Sequence, residues 1–160
     1  MSPTRKALVN FLSTLDVSGR VLDIGGTVWS VQKKTKTWKV SEYKTLAEDE
    51  GDYALDLNVT VSQTVPYGHF DVIFCMEVMQ FIYDTGRVME NINWCLKKGG
   101  RAFFSFHLTH PKMKSHDYLR YTKEGAIKLL TENGFVSENT IEPIAGYYII
   151  QSCKKDFPLL

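Results

Sequence analysis

Val21-Leu22-Asp23-Ile24-Gly25-Gly26 is the stretch that decides how this chain folds. A short apolar run carries one acid near its end and stops at a pair of glycines. A second run, Phe70-Asp71-Val72-Ile73-Phe74-Cys75-Met76-Glu77-Val78, has the same character, and Leu96-Lys97-Lys98-Gly99-Gly100 follows it downstream. Apolar runs of this length, bounded by polar residues or glycine, read as strands buried on both faces. Open α/β sheets bind ligands just outside the carboxyl ends of such strands. The ends of these two runs are therefore the first places to look for a site.

Outward from these strands, the chain reads as one ordinary globular domain over residues 1–160. It has 160 residues, 44% hydrophobic content and a formal net charge of +1. That length buries a sizeable core without disulfides or metals. The balanced charge gives no sign of a nucleic-acid partner. The apolar runs fall far short of the roughly 20 residues of a membrane span. Cys75, Cys95 and Cys153 are odd in number, lie among apolar neighbours and lack metal-ligand spacing, so they read as reduced core residues of a cytoplasmic protein with no metal site.

Ser2-Pro3 predicts a capped helix within residues 1–18, with Leu8, Phe11, Leu12 and Leu15 on one stripe and Ser18-Gly19 breaking it. The lysine-rich segment 27–39, with Trp29 and Trp38, predicts a short or irregular helix. Strands are expected near 43–46 and 53–57, and a loop over 58–68. Asp84 caps a helix whose face is Val88, Ile92, Cys95 and Leu96, ending at Lys97-Lys98-Gly99. A strand over 102–106 follows. Residues 107–121 are polar and aromatic, too long for a passive connector, and read as a lid loop. Thr122 caps a helix ending at Asn133-Gly134. Two β-rich stretches, 136–144 and 147–153, close the chain as a hairpin about Ala145-Gly146. The alternation predicts an α/β three-layer sandwich of Rossmann-like type: a seven-stranded, mostly parallel sheet with one antiparallel strand.

The order of these parts resembles the class I methyltransferases that use S-adenosylmethionine, in particular the small type 11 group, over about residues 20–135. The resemblance implies S-adenosylmethionine as cofactor. It places Asp23, Gly25 and Gly26 in the loop beneath the methionine part of that molecule, although Thr27 and Trp29 stand where the family has further glycines. The run Tyr43-Lys44-Thr45-Leu46-Ala47-Glu48-Asp49 is similar to the family's Tyr-Thr-x-Leu-Asp-x-Asp. Ala47 replaces its ribose-binding acid, which leaves Glu48 or Asp49 for that role. Asp56 and Leu57 match the adenine-binding position. The run from Phe70 to Phe81 resembles Phe-Asp-Val-Val-x-x-x-Glu-Val-Leu-Glu-His. It implies that residues 75–78, Cys75 and Met76 among them, lie under the sulfonium and at the rim of the substrate pocket, with Gln80-Phe81 in place of Glu-His; Glu77 itself reads as a structural residue tying down the strand-end loop rather than as a catalytic one.

His116-Asp117-Tyr118-Leu119-Arg120-Tyr121-Thr122 is similar to the family's His-Asp-Tyr-Trp-Arg-Phe-Thr. Tyr118 and Arg120 are the substrate-side candidates there. His107 and His116 are the candidate bases, since imidazole titrates near neutral pH. The implied activity is methyl transfer to a small-molecule acceptor, or to an accessible group of a larger molecule. A relative that keeps the fold as a binding or regulatory module, with Trp29 filling the methionine channel, is the alternative that the altered glycine loop leaves open.

Overall fold

The computed structural model describes residues 1–26 and 29–156. Its elements are α1 (Pro3–Leu12), β1 (Asp16–Ile24), β2 (Thr37–Ala47), β3 (Tyr53–Ala54), β4 (Phe70–Cys75), a single 3-10 turn at Met79–Phe81, α2 (Thr85–Cys95), β5 (Leu96–His107), α3 (Lys123–Glu132), β6 (Phe135–Ile144) and β7 (Tyr147–Lys154). The strands form one seven-stranded sheet in the order β3-β2-β1-β4-β5-β7-β6. β7 alone runs antiparallel to both of its neighbours, β5 and β6. The expected mixed sheet is thus the sheet observed, with Gly146 at φ +75° turning the closing hairpin.

Helices cover both faces. Val88, Ile92 and Cys95 of α2 and Ala126 and Leu130 of α3 bury against one side, together with Phe104, Phe106 and Phe135. Leu8, Phe11 and Leu12 of α1 bury against the other, with Phe74 and Phe103 stacked 5.0 Å apart beneath them. A fully buried apolar side chain of this size contributes about 1.5–3 kcal/mol through removal from water. The caps read from sequence are present: Ser2 Oγ accepts from Arg5 N, Asp84 Oδ1 from Arg87 N, and Thr122 Oγ1 from Gly125 N. Each satisfies an orphan amide of a first turn.

Four expectations are corrected. No helix lies between β1 and β2 among the described residues; the chain turns through residues 32–35 and enters β2 at Thr37. Among its described residues the segment offers Val31 as its one fully buried anchor and shows no helical apolar stripe to bury. Ser18-Gly19 does not end a helix but lies within β1. Gly19, at φ +82°, sits at a register shift against β2, where a Cβ would come 2.5 Å from Asp71 Oδ2. β3 is two residues long, because the chain turns at Asp56, whose Oδ1 accepts from Asn58 N. Lys97-Lys98-Gly99 belongs to β5, since α2 stops at Cys95 and the strand starts at the next residue.

Candidate cofactor and acceptor cleft

A cleft of about 640 Å³ opens at the carboxyl ends of β1, β2, β3 and β4. Strand order fixes its layout. β1 delivers Ile24 and Gly25, β2 delivers Ala47, Glu48 and Asp49, the turn after β3 delivers Asp56 and Leu57, and β4 delivers Met76 and Glu77. Gly25 has φ +80°, and a Cβ there would lie 2.7 Å from Val78 Cγ2, so only glycine fits this turn. The N-terminal turn of α1 closes one rim with Ser2, Thr4 and Arg5. The lid loop closes another with His110, Met113, Lys114 and His116.

Asp23 does not border the cleft. It is buried behind the loop, where Oδ2 accepts from Val31 N at 3.0 Å and from the Tyr43 hydroxyl at 2.5 Å. Burial raises its pKa from 3.8 to about 6 against the opposing effect of these hydrogen bonds. Gly26 packs on it so closely that a Cβ would fall 2.4 Å from Asp23 Cγ. Asp23 and Gly26 therefore shape the loop from behind, while Gly25 presents backbone to the cleft. Thr27, the first of the two glycine departures, lies outside the described residues. Trp29, the second, borders the cleft under the Arg5 guanidinium, whose carbon is 4.4 Å from the ring centre; Lys34 Nζ lies 4.9 Å from the same ring.

Glu48 and Asp49 both stand at the rim, and Glu50 joins them, so β2 ends in three acids facing one opening. Asp56 Oδ1 is held by the amide and side chain of Asn58, at 2.8 and 2.9 Å, and Oδ2 has no hydrogen bond among the described residues. Cys75 is wholly buried and does not border the cleft, and desolvation pushes its thiol up, which keeps it neutral.

Glu77 is the most elaborately held polar group on the cleft floor. Its backbone is left-handed at φ +63°, an unfavourable region for a glutamate. Its amide donates to Ser105 Oγ at 2.7 Å. Its carboxylate takes the Tyr147 hydroxyl on Oε1 at 2.6 Å and lies 2.6 Å from His107 Nε2 through Oε2. Burial opposes ionisation, but the hydrogen bond and charge of His107, the Tyr147 hydroxyl and the nearby Arg5 outweigh it and lower the pKa. His107 itself is buried behind this carboxylate, its ring stacked 4.8 Å from Tyr147, and does not reach the cleft.

His116 does border the cleft, with its ring 5.5 Å from Phe81. Tyr118 and Arg120 do not. Tyr118 is exposed, edge-on to Tyr83 at 5.6 Å, and its amide anchors the lid to Gln80 O. Arg120 forks onto Asp117 at 2.5 and 2.8 Å and caps His110 O, which fixes the lid's own turn. Arg5 and Lys114 border the cleft without having been proposed as site residues from the sequence, and Gln80 borders it too. Arg5 sits on a helix whose seat on the sheet no local pattern encodes. Gln80 was visible only as a departure from the family's Glu.

The methyltransferase-domain family model matches residues 3–139, and the chain belongs to that family. No curated protein matches it. Among solved structures, an S-adenosylmethionine-dependent methyltransferase from Mesorhizobium loti is 14% identical with a TM-score of 0.66, covering 96% of this chain and 99% of that one. A type 11 methyltransferase assignment from Sulfolobus solfataricus is also 14% identical, with a TM-score of 0.63 and coverage of 96% and 92%. The [4+2]-cyclase SpnF, 14% identical, has a TM-score of 0.71 over 95% of this chain and 80% of its own. At these identities the likeness is one of fold. No helix among the described residues is long and apolar enough to cross a membrane.

Proposed function

We propose that this chain transfers the methyl group of S-adenosylmethionine to a small-molecule acceptor or to an accessible group of a larger molecule. The observation that carries the reading is the sequence of groups along the cleft. Gly25 backbone, then the acids Glu48 and Asp49, then Asp56 and Leu57 follow one another across adjacent strand ends. A methionine part, a ribose and an adenine need that order of close backbone, hydroxyl acceptors and amino acceptor. Met76 and Glu77, one strand further on, fall on the side where the sulfonium and the acceptor would meet. Methyl transfer from a sulfonium needs chiefly alignment and exclusion of water, because the leaving thioether is already activated by its charge. The lid loop and α1 supply that cover.

Calorimetry with S-adenosylmethionine and S-adenosylhomocysteine tests the reading, and saturable 1:1 binding of both is expected. Absence of binding to either would favour the second reading, a methyltransferase fold kept as a binding module. The indole of Trp29 on the cleft wall is the feature that speaks for it.

A further inference from the structure

We infer that Arg5, seated over the Trp29 indole, binds the α-carboxylate of the methionine part of S-adenosylmethionine. The inference rests on the methyltransferase reading above, and it gives the bulkiest departure in the glycine loop a role in binding. The Arg5 guanidinium carbon lies 4.4 Å from the Trp29 ring centre, and both residues border the cleft. Trp29 stands four residues after Gly25, whose backbone faces the cleft at the end of β1. On its other side, the Arg5 charge acts on Glu77, just past the end of β4, and on the Tyr147 hydroxyl. Arg5 therefore stands over the junction of β1 and β4, which are neighbours in the sheet. The methionine part falls at that junction in the reading above.

What this cation lacks is an anion. Its guanidinium makes no hydrogen bond and no ion pair among the described residues. The cation–π contact restrains the group through its charge and leaves its N–H donors available. A half-buried guanidinium of this kind is matched by a carboxylate, which its planar fork takes bidentately. The neighbouring charges are already committed. Glu77 lies 2.6 Å from His107 Nε2 and takes the Tyr147 hydroxyl, so its charge is offset from behind. Lys34, the second cation on the indole, donates to Ser30 O and does not border the cleft. The lid's cations gather on a different ring: Lys114 Nζ is 5.1 Å from the centre of Phe81, and the His116 ring is 5.5 Å from it. The acids Glu48, Asp49, Glu50 and Asp56 follow β2 and β3, on the far side of β1 from Glu77. An anion that reaches Arg5 thus belongs to the molecule lying over Gly25.

Calorimetry on the full chain compares S-adenosylmethionine with its decarboxylated analogue, which keeps the adenosine, sulfonium and ammonium and lacks only the carboxylate. The parent should bind S-adenosylmethionine at least twentyfold more tightly. General attraction by the acids of the cleft works the other way, since the analogue carries one more net positive charge. R5M keeps an unbranched side chain against the indole but removes the charge and the fork. It should weaken S-adenosylmethionine binding at least tenfold and should not weaken the analogue by more than twofold. R5K keeps the charge without the fork, should weaken S-adenosylmethionine at least threefold with the same twofold limit on the analogue, and serves if R5M does not fold. Equal affinity of the parent for the two ligands, an unchanged Kd for S-adenosylmethionine in a folded R5M, or equal weakening of both ligands would each overturn the inference. The last of these would mark Arg5 as a structural clasp for α1. A parent chain that binds neither S-adenosylmethionine nor S-adenosylhomocysteine would instead overturn the methyltransferase reading.

Discussion

Asp23 Oδ2 lies 2.5 Å from the Tyr43 hydroxyl, and the same oxygen accepts the amide of Val31 at 3.0 Å. One buried carboxylate thereby joins the end of β1, the middle of β2 and the crossover between them. Ser30 Oγ, 2.7 Å from the Tyr43 hydroxyl, extends the chain of polar contacts. The crossover has no helix to hold it among the described residues, so these contacts take over the role of keeping the loop beneath the cleft in place.

Asp23 gives the first prediction a definite sign. Its folded pKa of about 6 stands above the ordinary 3.8 because burial disfavours the charge. Between those values the folded chain binds the proton more tightly than the unfolded chain. Asp23 therefore lowers stability progressively as pH rises from about 4 to about 6, by roughly 2–3 kcal/mol, with no further change above. Asp23→Asn keeps an acceptor for Val31 and Tyr43 without the charge. Relative to the parent, the variant should gain about 2–3 kcal/mol between pH 4 and pH 7 in urea unfolding. Glu77 titrates with the opposite sign in both proteins and cancels in the difference. Parallel stability curves for parent and variant would refute the assignment.

Two glycines supply an opposed pair. At Gly26 an added Cβ meets Asp23 Cγ and Oδ2 at 2.4 Å, inside the buried polar cluster. Gly26→Ala should cost about 1–3 kcal/mol through overpacking. Gly86 lies in the first turn of α2, where the nearest atom to an added Cβ is Asp84 Oδ1 at 3.8 Å. Gly86→Ala should stabilise by up to about 1 kcal/mol through helix propensity. Chemical denaturation of both variants decides the matter, and equal midpoints would contradict the packing described at Gly26.

The sheet was legible because its strands carry their own signals: apolar runs at 21–24 and 70–75, and a turn glycine between two β-rich stretches. The helices with caps at Ser2, Asp84 and Thr122 were legible for the same local reason. The crossover after β1 was not. Its lysines and tryptophans have no period, and what orders it is the distant Asp23–Tyr43 pair. Gly25, Glu48, Asp49, Asp56, Leu57, Met76 and His116 come together on the cleft, since strand ends converge in this topology. Asp23, Gly26, Cys75, His107, Tyr118 and Arg120 fall beside or behind it. Motif position says which loop a residue occupies, whereas side-chain direction depends on packing across the whole sheet.

Asp56 tests the adenosine end of the proposed function. One carboxylate oxygen is occupied by Asn58 and the other carries no protein hydrogen bond among the described residues. Asp56→Ala should weaken S-adenosylhomocysteine binding at least tenfold, in line with the roughly 1.5–3 kcal/mol of a hydrogen bond to a charged group. Calorimetry measures it, and an unchanged dissociation constant in a folded variant would remove Asp56 from the site.

Trp29 separates the two functional readings. Its indole borders the cleft, lies under Arg5, and has Lys34 Nζ within 4.9 Å of the ring. Through Arg5 it ties the first turn of α1 to the crossover, and cation–π contacts of this kind contribute about 0.5–2 kcal/mol each. If the cleft takes S-adenosylmethionine, the ring forms a wall of the site and a clasp for α1. Trp29→Gly should then leave S-adenosylhomocysteine affinity unchanged or reduce it, and should lower stability by 1 kcal/mol or more, on the order expected for a large side chain lost from a partly buried position. If the ring instead occupies the space of the methionine part, the same substitution would create binding where the parent has none. The first outcome is expected. It is checked by calorimetry on parent and variant together with urea unfolding, and binding that appears only in Trp29→Gly would establish the module in place of the enzyme.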